Sequence, residues 1–160
     1  MIRHFTQEDF DNIVSFMKDV ASTSFNQLFK SIINSYQSQE IVIPYALILK
    51  SNGDFLGFCG LVTLKDNKQV ECYYFLQHEY WGNGYAIESL RKIFEYAFSE
   101  LKLDKIVAYI DQGNTRGWKV AERSGMKYMG NFLRKDTNLN KKNSMFFLID
   151  KNDYCNQFQI

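Results

Sequence analysis

One stretch of seven residues constrains the fold of this chain most: Trp81-Gly82-Asn83-Gly84-Tyr85-Ala86-Ile87, between an aromatic-rich strand candidate and the clearest amphipathic helix. Two glycines spaced by one residue let the backbone curl with its N–H groups on one side, because neither carries a Cβ. The following helix directs its N-terminus into that curl, where the helix dipole favours negative charge. The stretch therefore predicts an anion site built from backbone. The alternative is a strand-to-helix turn that uses glycine for geometry alone.

The common nucleotide-binding loops do not match this stretch. The pattern Gly-x-x-x-x-Gly-Lys-Ser/Thr is absent from the chain. The dinucleotide fingerprint requires a third Gly or Ala where this chain has Ile87. A nucleotide-binding protein is therefore the least favoured hypothesis for this chain.

Composition excludes several function classes. The 160 residues suit one domain, 1–160, and their net charge of +1, without a basic run, argues against nucleic-acid binding. Three widely spaced cysteines, Cys59, Cys72 and Cys155, are typical of reduced thiols in a cytosolic protein, and two histidines provide no zinc spacing. No apolar run or N-terminal signal region indicates a membrane segment. We expect a soluble cytoplasmic protein without a metal.

Hydrophobic spacing predicts a defined order of elements. These are a strand at 2–5, helices at 7–19 and 22–36, a hairpin of 45–49 and 55–62 around an Asn52-Gly53 turn, a strand at 70–76, a helix of about four turns from Ile87 to Leu101, a strand at 105–110, a helix at 115–124 ended by Gly125, and a hairpin of 128–134 and 145–149 around a polar loop at 136–144. The broad apolar stripe of the 22–36 helix fits either core packing or one wall of a substrate groove.

The strand, loop, helix and strand around residues 70–110 form a βαβ crossover, and such units bind ligands off the carboxyl ends of their strands. The glycine loop and Asn114 both lie at those ends. We expect a carboxylate from the strand of Glu71 to converge with them. This convergence favours a binding site over a simple turn.

The run from Glu71 to Leu90 resembles the acetyl-CoA-binding motif of the GNAT superfamily of N-acetyltransferases. It is most similar to the RimJ/RimL-like branch of ribosomal-protein N-terminal acetyltransferases, in which a Glu-Ile-Gly-Tyr-Trp-Leu strand leads into Tyr-Trp-Gly-Lys-Gly-Tyr-Ala. The resemblance continues through Asn114 and Ser124-Gly125-Met126, and more loosely to the Arg-His-Phe-Thr start. It implies an α+β, three-layer αβα fold. Its mixed, mostly antiparallel twisted sheet would splay between the strands ending at Leu76 and Ile110.

The resemblance also implies a site and an activity. Acetyl-CoA would lie in the splay, with its acetyl and pantetheine part on the backbone of Phe75 and Leu76. The N–H groups from Gly82 to Ala86 would hold its pyrophosphate, and Asn114 would bond the pantetheine arm. Three further side chains are candidates for contact with the cofactor: Trp81, Tyr85 and Arg116. For the two aromatic rings, Trp81 and Tyr85, packing is the favoured role. The acetyl group would pass to a primary amine, a protein N-terminus or a small molecule, and the enzyme would act as a monomer or homodimer.

Three positions depart from the pattern of that family. Glu79 stands where Gln or Arg is expected before the first glycine, and an acid there suits a pyrophosphate only if it points away. Gly117 replaces an expected Ser, and Ala121 replaces a Tyr that protonates the thiol in many members. The leaving thiolate must then be stabilised by the helix N-terminus at 115–117 and Asn114, or protonated by water.

Direct attack needs a neutral amine. Deprotonation at pH 7 costs about 1.4 kcal/mol for an α-amine but more than about 4 kcal/mol for a lysine. A water-linked base therefore suffices for an α-amine, and Glu71 is the candidate, with a polar residue on a solvated face as the alternative.

A second hypothesis is a non-catalytic module that binds acyl-CoA as a sensor or interaction domain, and the missing donors at Gly117 and Ala121 favour it. The acceptor side would be shaped by the 22–36 helix and the 127–149 hairpin, whose Lys141 and Lys142 suit peptides and small amines equally.

Overall fold

The computed structural model describes residues 1–4, 6, 9, 42–63, 69–135 and 141–158. These residues contain seven strands and three helices: β1 Ile2–Arg3, β2 Val42–Ile48, β3 Phe55–Thr63, β4 Val70–Leu76, α1 Tyr85–Ser99, β5 Lys105–Asp111, α2 Thr115–Arg123, β6 Lys127–Lys135, β7 Lys141–Asp150 and α3 Lys151–Phe158. Apart from Asp9, the helices predicted at 7–19 and 22–36, which would supply the second helical layer, lie outside the described residues, as do the side chains of Lys141 and Lys142.

The strands form one sheet in the order β1-β2-β3-β4-β5-β7-β6. Every neighbouring pair is antiparallel except β4 and β5, which run parallel. The pairing of β3 with β4 extends to Leu76, whereas β4 pairs with β5 only at Glu71 and Val107. The two parallel strands therefore separate beyond that point, and the predicted splay is confirmed.

The core lies between the sheet and the helices α1 and α2. The inward face of α1 buries residues at helical spacing, among them Leu90, Phe94 and Phe98. From β4 this core receives Cys72 and Leu76. Because side chains alternate along a strand, Glu71, Tyr73 and Phe75 belong to the opposite face of the sheet. The stacked rings of Phe58 and Phe75, 5.4 Å apart, lie on that face.

The hairpin of β2 and β3 forms as predicted, but its turn differs from the expected tight turn. Leu49 N–H donates to Asp54 O at 2.8 Å and Gly53 N–H to Leu49 O at 2.9 Å, so four residues separate the closing pair. Gly53 has a φ of +82°, while Lys102 is the positive-φ residue other than glycine among the described residues. A tight Asn-Gly turn, which the sequence predicts, would place both Asn52 and Gly53 at positive φ, and this is wrong for Asn52 because the four-residue loop has a positive φ only at Gly53.

The C-terminal part differs from the prediction in two respects. Strand β7 lies between β5 and β6 and begins at Lys141, so the predicted 136–144 loop is too long. Helix α3 was not predicted. Its first turn is capped by Asp150, whose Oδ1 accepts from Asp153 N–H at 2.7 Å, and Tyr154 packs against Phe98 with ring centroids 5.2 Å apart. In the described parts of the chain, no helix is long and apolar enough to cross a membrane.

Candidate active site

The glycine loop follows β4 and a 3-10 turn at His78–Tyr80, and it leads directly into α1. Gly82 and Gly84 have φ values of +83° and +80°, so both need the left-handed conformation that glycine adopts without strain. A Cβ at either position would meet nothing within 4 Å. The space beside the loop is therefore open to a ligand.

Helix α1 presents unsatisfied N–H groups to this space. Its N-cap is Gly84, which makes no side-chain cap hydrogen bond, and Glu88 N–H donates to Gly84 O at 3.0 Å. The N–H groups of the preceding residues of the first turn have no carbonyl within the helix to receive them. An anionic group such as a pyrophosphate fits this end of α1, both by hydrogen bonding and by the helix dipole.

Side chains of the loop stabilise its conformation. The Asn83 amide donates from Nδ2 to the carbonyls of Tyr80 and Trp81, each at 3.2 Å. Tyr85 is half-buried and packs against the core. These contacts are structural and leave the backbone of the loop as the part that faces the open space.

Trp81 connects the loop to both walls of the splay. Its indole Nε1 donates to the Leu76 carbonyl at 2.9 Å, and its ring lies 4.5 Å from the ring of His78. The Arg116 guanidinium, from the first turn of α2, lies 4.6 Å from the indole centroid, a cation–π contact. Packing is thus an observed role of the Trp81 ring. It also brings a positive charge from the far wall of the splay to the anion loop.

Asn114 is the N-cap of α2. Its Oδ1 accepts from Gly117 N–H at 2.9 Å, so the side-chain oxygen is used within the protein. A Cβ at Gly117 would lie 2.5 Å from Asn114 Nδ2. The glycine at 117, which departs from the family pattern, therefore makes room for this cap conformation. The spacing of Asn114 and Gly117 was the available signal for it.

Tyr74 is a residue of the site that the sequence did not single out. Its hydroxyl donates to the carbonyl of Gly117 at 2.5 Å and so joins β4 to the first turn of α2. Burial, and to a lesser extent the neighbouring Cys72, raise the pKa of Tyr74 above its usual value. Its position among inward-facing residues of β4 was a signal for burial, but its partner is 43 residues away in sequence.

Glu71 lies at the start of β4, next to Val107 at the closed end of the splay. The expectation that its carboxylate converges with the glycine loop and Asn114 is wrong in position, because the loop follows the other end of β4, about 17 Å along the strand. Its half-buried side chain belongs to the face opposite α1. The anion loop and the candidate base therefore lie on different sides of the sheet.

Aromatic rings line the face that carries Glu71. Phe58 stacks on Phe75, and Tyr109 stacks on Phe146 with centroids 5.0 Å apart. Tyr109 Oη donates to Gln69 Oε1 at 3.0 Å. Within the described ranges, no three His, Cys, Asp or Glu side chains cluster closely enough to hold a metal ion.

Comparison with known proteins gives three kinds of match. The sequence model of the family described as "Acetyltransferase (GNAT) domain" matches residues 1–127. YkkB, an uncharacterized protein of Bacillus subtilis, is 42% identical over 81 residues, covering 49% of this chain and 47% of its own. YdaF, a B. subtilis protein provisionally named a ribosomal N-acetyltransferase, is 32% identical over 71 residues. This match covers 42% of this chain and 39% of YdaF.

The fold also matches solved structures. A spermidine N-acetyltransferase from Vibrio cholerae, solved in complex with CoA and spermine, superposes with a TM-score of 0.73 at 16% identity over 96% of both chains. A GNAT-family acetyltransferase from Bacillus anthracis has a TM-score of 0.61 at 23% identity, over 68% of this chain and 66% of its own. These identities support the fold alone. The matched stretch spans half or less of the length of the two curated relatives.

Proposed function

The chain belongs to the GNAT acetyltransferase family, and on that premise we propose that it transfers the acetyl group of acetyl-CoA to a primary amine, either a protein N-terminus or a small amine. The observation that carries the proposal is the splay of β4 and β5 beyond their pairing at Glu71 and Val107. It opens towards both the anion loop of α1 and the capped N-terminus of α2.

The residues of the splay suit the parts of acetyl-CoA. N–H groups from Gly82 to Ala86 would bind the pyrophosphate, and Arg116 would add a positive charge beside them. The backbone of Phe75 and Leu76 would bind the acetyl and pantetheine part, and the Asn114 amide nitrogen would bind the pantetheine arm. The Leu76 carbonyl already accepts the Trp81 indole N–H, so its second lone pair is the one that remains for ligand.

Transfer would proceed by direct attack in a ternary complex. The amine reaches the thioester from the aromatic face of the sheet, and Glu71 accepts its proton through water. The 16%-identical spermidine enzyme gives one reason to test polyamines as well as peptides. The proposal takes residues 1–160 as one cytoplasmic domain that acts as a monomer or homodimer.

A panel assay tests this proposal. The protein is incubated with acetyl-CoA and a panel of amines: spermidine, spermine, aminoglycosides and peptides with free N-termini. A thiol reagent measures the release of free CoA. The signal from the protein's own thiols is subtracted. At least one amine should raise CoA release well above the rate without an acceptor. If no amine raises CoA release and acetyl-CoA does not raise the melting temperature of the protein, the protein does not bind the cofactor and the proposal is wrong.

The alternative is a non-catalytic acyl-CoA-binding module. The observation that favours it is the lack of a side-chain donor at both Gly117 and Ala121, the latter being fully buried in the core. Tight acetyl-CoA binding without CoA release on any amine would support this alternative over the enzyme.

A further inference from the structure

We propose that the Tyr74 hydroxyl donates a hydrogen bond to the departing CoA sulfur and stabilises the thiolate, in place of the donors that α2 lacks. This inference rests on the proposed function. It assigns a role in the same site to a residue of β4, on the wall of the splay that faces α2.

Tyr74 lies three residues beyond Glu71, the last position at which β4 pairs with β5. Its hydroxyl reaches the third residue of α2, Gly117, at 2.5 Å. The side chain therefore crosses the splay where its two walls are the end of β4 and the start of α2, the region in which the thioester would lie.

Helix α2 offers no side-chain donor at positions 117 and 121. Gly117 has no side chain, and a Cβ there would collide with Asn114 Nδ2 at 2.5 Å. Ala121 is fully buried and has no polar group. The Tyr74 hydroxyl is a donor that the structure brings to this turn from outside α2, and its hydrogen can turn from the Gly117 carbonyl to a sulfur by rotation about the C–O bond.

The amine lone pair forms the new C–N bond, the C–S bond breaks, and its electron pair remains on sulfur. Tyr74 donates a hydrogen bond to that sulfur without losing its proton. The proton released by the nitrogen passes to Glu71 through water, and the thiolate later takes one proton from solvent, so amide and free CoA thiol are the products.

The protonation state of Tyr74 agrees with this role. Burial raises the pKa of Tyr74, so it remains a neutral donor over the whole working pH range. Cys72, the titratable neighbour on β4, also has its pKa raised by burial and remains an uncharged thiol. Neither group therefore brings a negative charge against the developing thiolate.

The first experiment measures the thiol of bound CoA, and it needs no turnover. The ultraviolet absorbance of the thiolate is titrated for CoA bound to the wild type and to Tyr74→Phe. A donor to the thiolate lowers the pKa of the bound thiol, so we expect the Tyr74→Phe titration at least about one pH unit higher. The buried Tyr154, which packs far from the splay against Phe98, provides the control Tyr154→Phe, whose titration should match the wild type.

The second experiment measures catalysis with the best amine of the panel. Tyr74→Phe should lower kcat about a hundredfold, as loss of one preorganised donor does elsewhere, while the dissociation constant of acetyl-CoA changes less than about twofold.

The outcomes distinguish a failure of the role of Tyr74 from a failure of acetyl-CoA binding. An unchanged thiol titration in Tyr74→Phe overturns the role of Tyr74, even if the enzyme acetylates amines. A loss of kcat that is matched by an equal loss of acetyl-CoA binding assigns Tyr74 to holding β4 and α2 together and also overturns it. Failure of the wild type to bind CoA would instead overturn the proposed function, and this inference with it.

Discussion

Arg116 is joined to the anion loop by a chain of contacts. Its guanidinium stacks on Trp81, and the Trp81 indole is held by the Leu76 carbonyl. A cation that is positioned in this way interacts with a phosphate group without first having to be ordered, so more of the interaction energy appears as affinity.

We expect Arg116→Gln to weaken acetyl-CoA binding about tenfold at low salt, with a smaller loss at high salt because the interaction is screened. Isothermal titration at two salt concentrations measures both effects. Arg123→Gln, in the last turn of the same helix, is the matched control. Equal affinities for Arg116→Gln and the control would show that the cation–π contact serves packing alone.

Glu71 is tested by separating turnover from binding. Glu71→Gln should lower kcat by about a hundredfold and leave acetyl-CoA affinity unchanged, because the residue lies on the opposite face from the anion loop. Steady-state kinetics from pH 6 to 9 with an α-amine acceptor measure this. If kcat is unchanged over that range, Glu71 is a polar residue of the sheet and another group is the base.

At the scale of the element, α2 combines a structural and a binding role in Asn114, and the two can be separated. Asn114→Asp keeps an oxygen that can cap the helix but loses the amide donor, so stability should change little while the KM for acetyl-CoA rises several-fold. Asn114→Ala should also cost about 1 kcal/mol of stability through loss of the cap. Thermal denaturation together with KM distinguishes these effects. Equal KM values for Asn114→Asp and the wild type would limit Asn114 to capping.

Strand β1 is fixed by a partly buried ion pair between Arg3 and Asp9, which predicts a pH dependence. Burial tends to raise the pKa of Asp9, but the bonds from Arg3 and Thr6 outweigh burial and hold that pKa below its usual value. The stabilisation is therefore complete above the pKa of the unfolded chain, about 3.9, and is lost as pH falls through the lower pKa of the folded state.

Asp9→Asn should lower the free energy of unfolding by about 2 kcal/mol at pH 7. The difference from the wild type should shrink as the pH falls below about 3.9, where Asp9 of the unfolded chain takes up a proton, and should be lost once the pH passes the lower pKa of the folded state. Urea denaturation at pH 7, 5 and 3 provides the measurement. A difference that is the same at all three pH values would mean that the charge of Asp9 does not contribute.

Local sequence patterns predict most of the described helices and strands. The contacts that they do not predict join residues far apart in the sequence. Apolar spacing from Ile87 to Leu101 was sufficient for α1, and Gly125, with a φ of +105°, ends α2 as expected. Tyr154 and Phe158 at helical spacing after Asp150 were the overlooked signal for α3. By contrast, neither the bond from Tyr74 to Gly117 nor the stacking of Arg116 on Trp81 has a local signal, because each joins residues far apart in sequence.

At the scale of the whole molecule, the splay predicts where a ligand slows exchange of backbone hydrogens. Acetyl-CoA should protect residues 81–87 and the first turn of α2, because both face the opening between β4 and β5. Helix α3 should keep its exchange rates, since it packs at Phe98, near the other end of α1. Hydrogen–deuterium exchange with and without acetyl-CoA tests this. Protection spread evenly over the chain would indicate general stabilisation and no defined binding region.

The single β4–β5 pairing also determines how the two halves of the sheet are held together. Strands β1 to β4 form one antiparallel set of neighbours, and β5, β7 and β6 form another, so the sheet consists of two halves joined at Glu71 and Val107 and by the helices that cover them. Backbone hydrogen bonding contributes little across this seam. A molecule bound there would contact both halves at once and would stabilise their association. Cooperativity of unfolding between the N-terminal and C-terminal halves should thus depend on the concentration of acetyl-CoA.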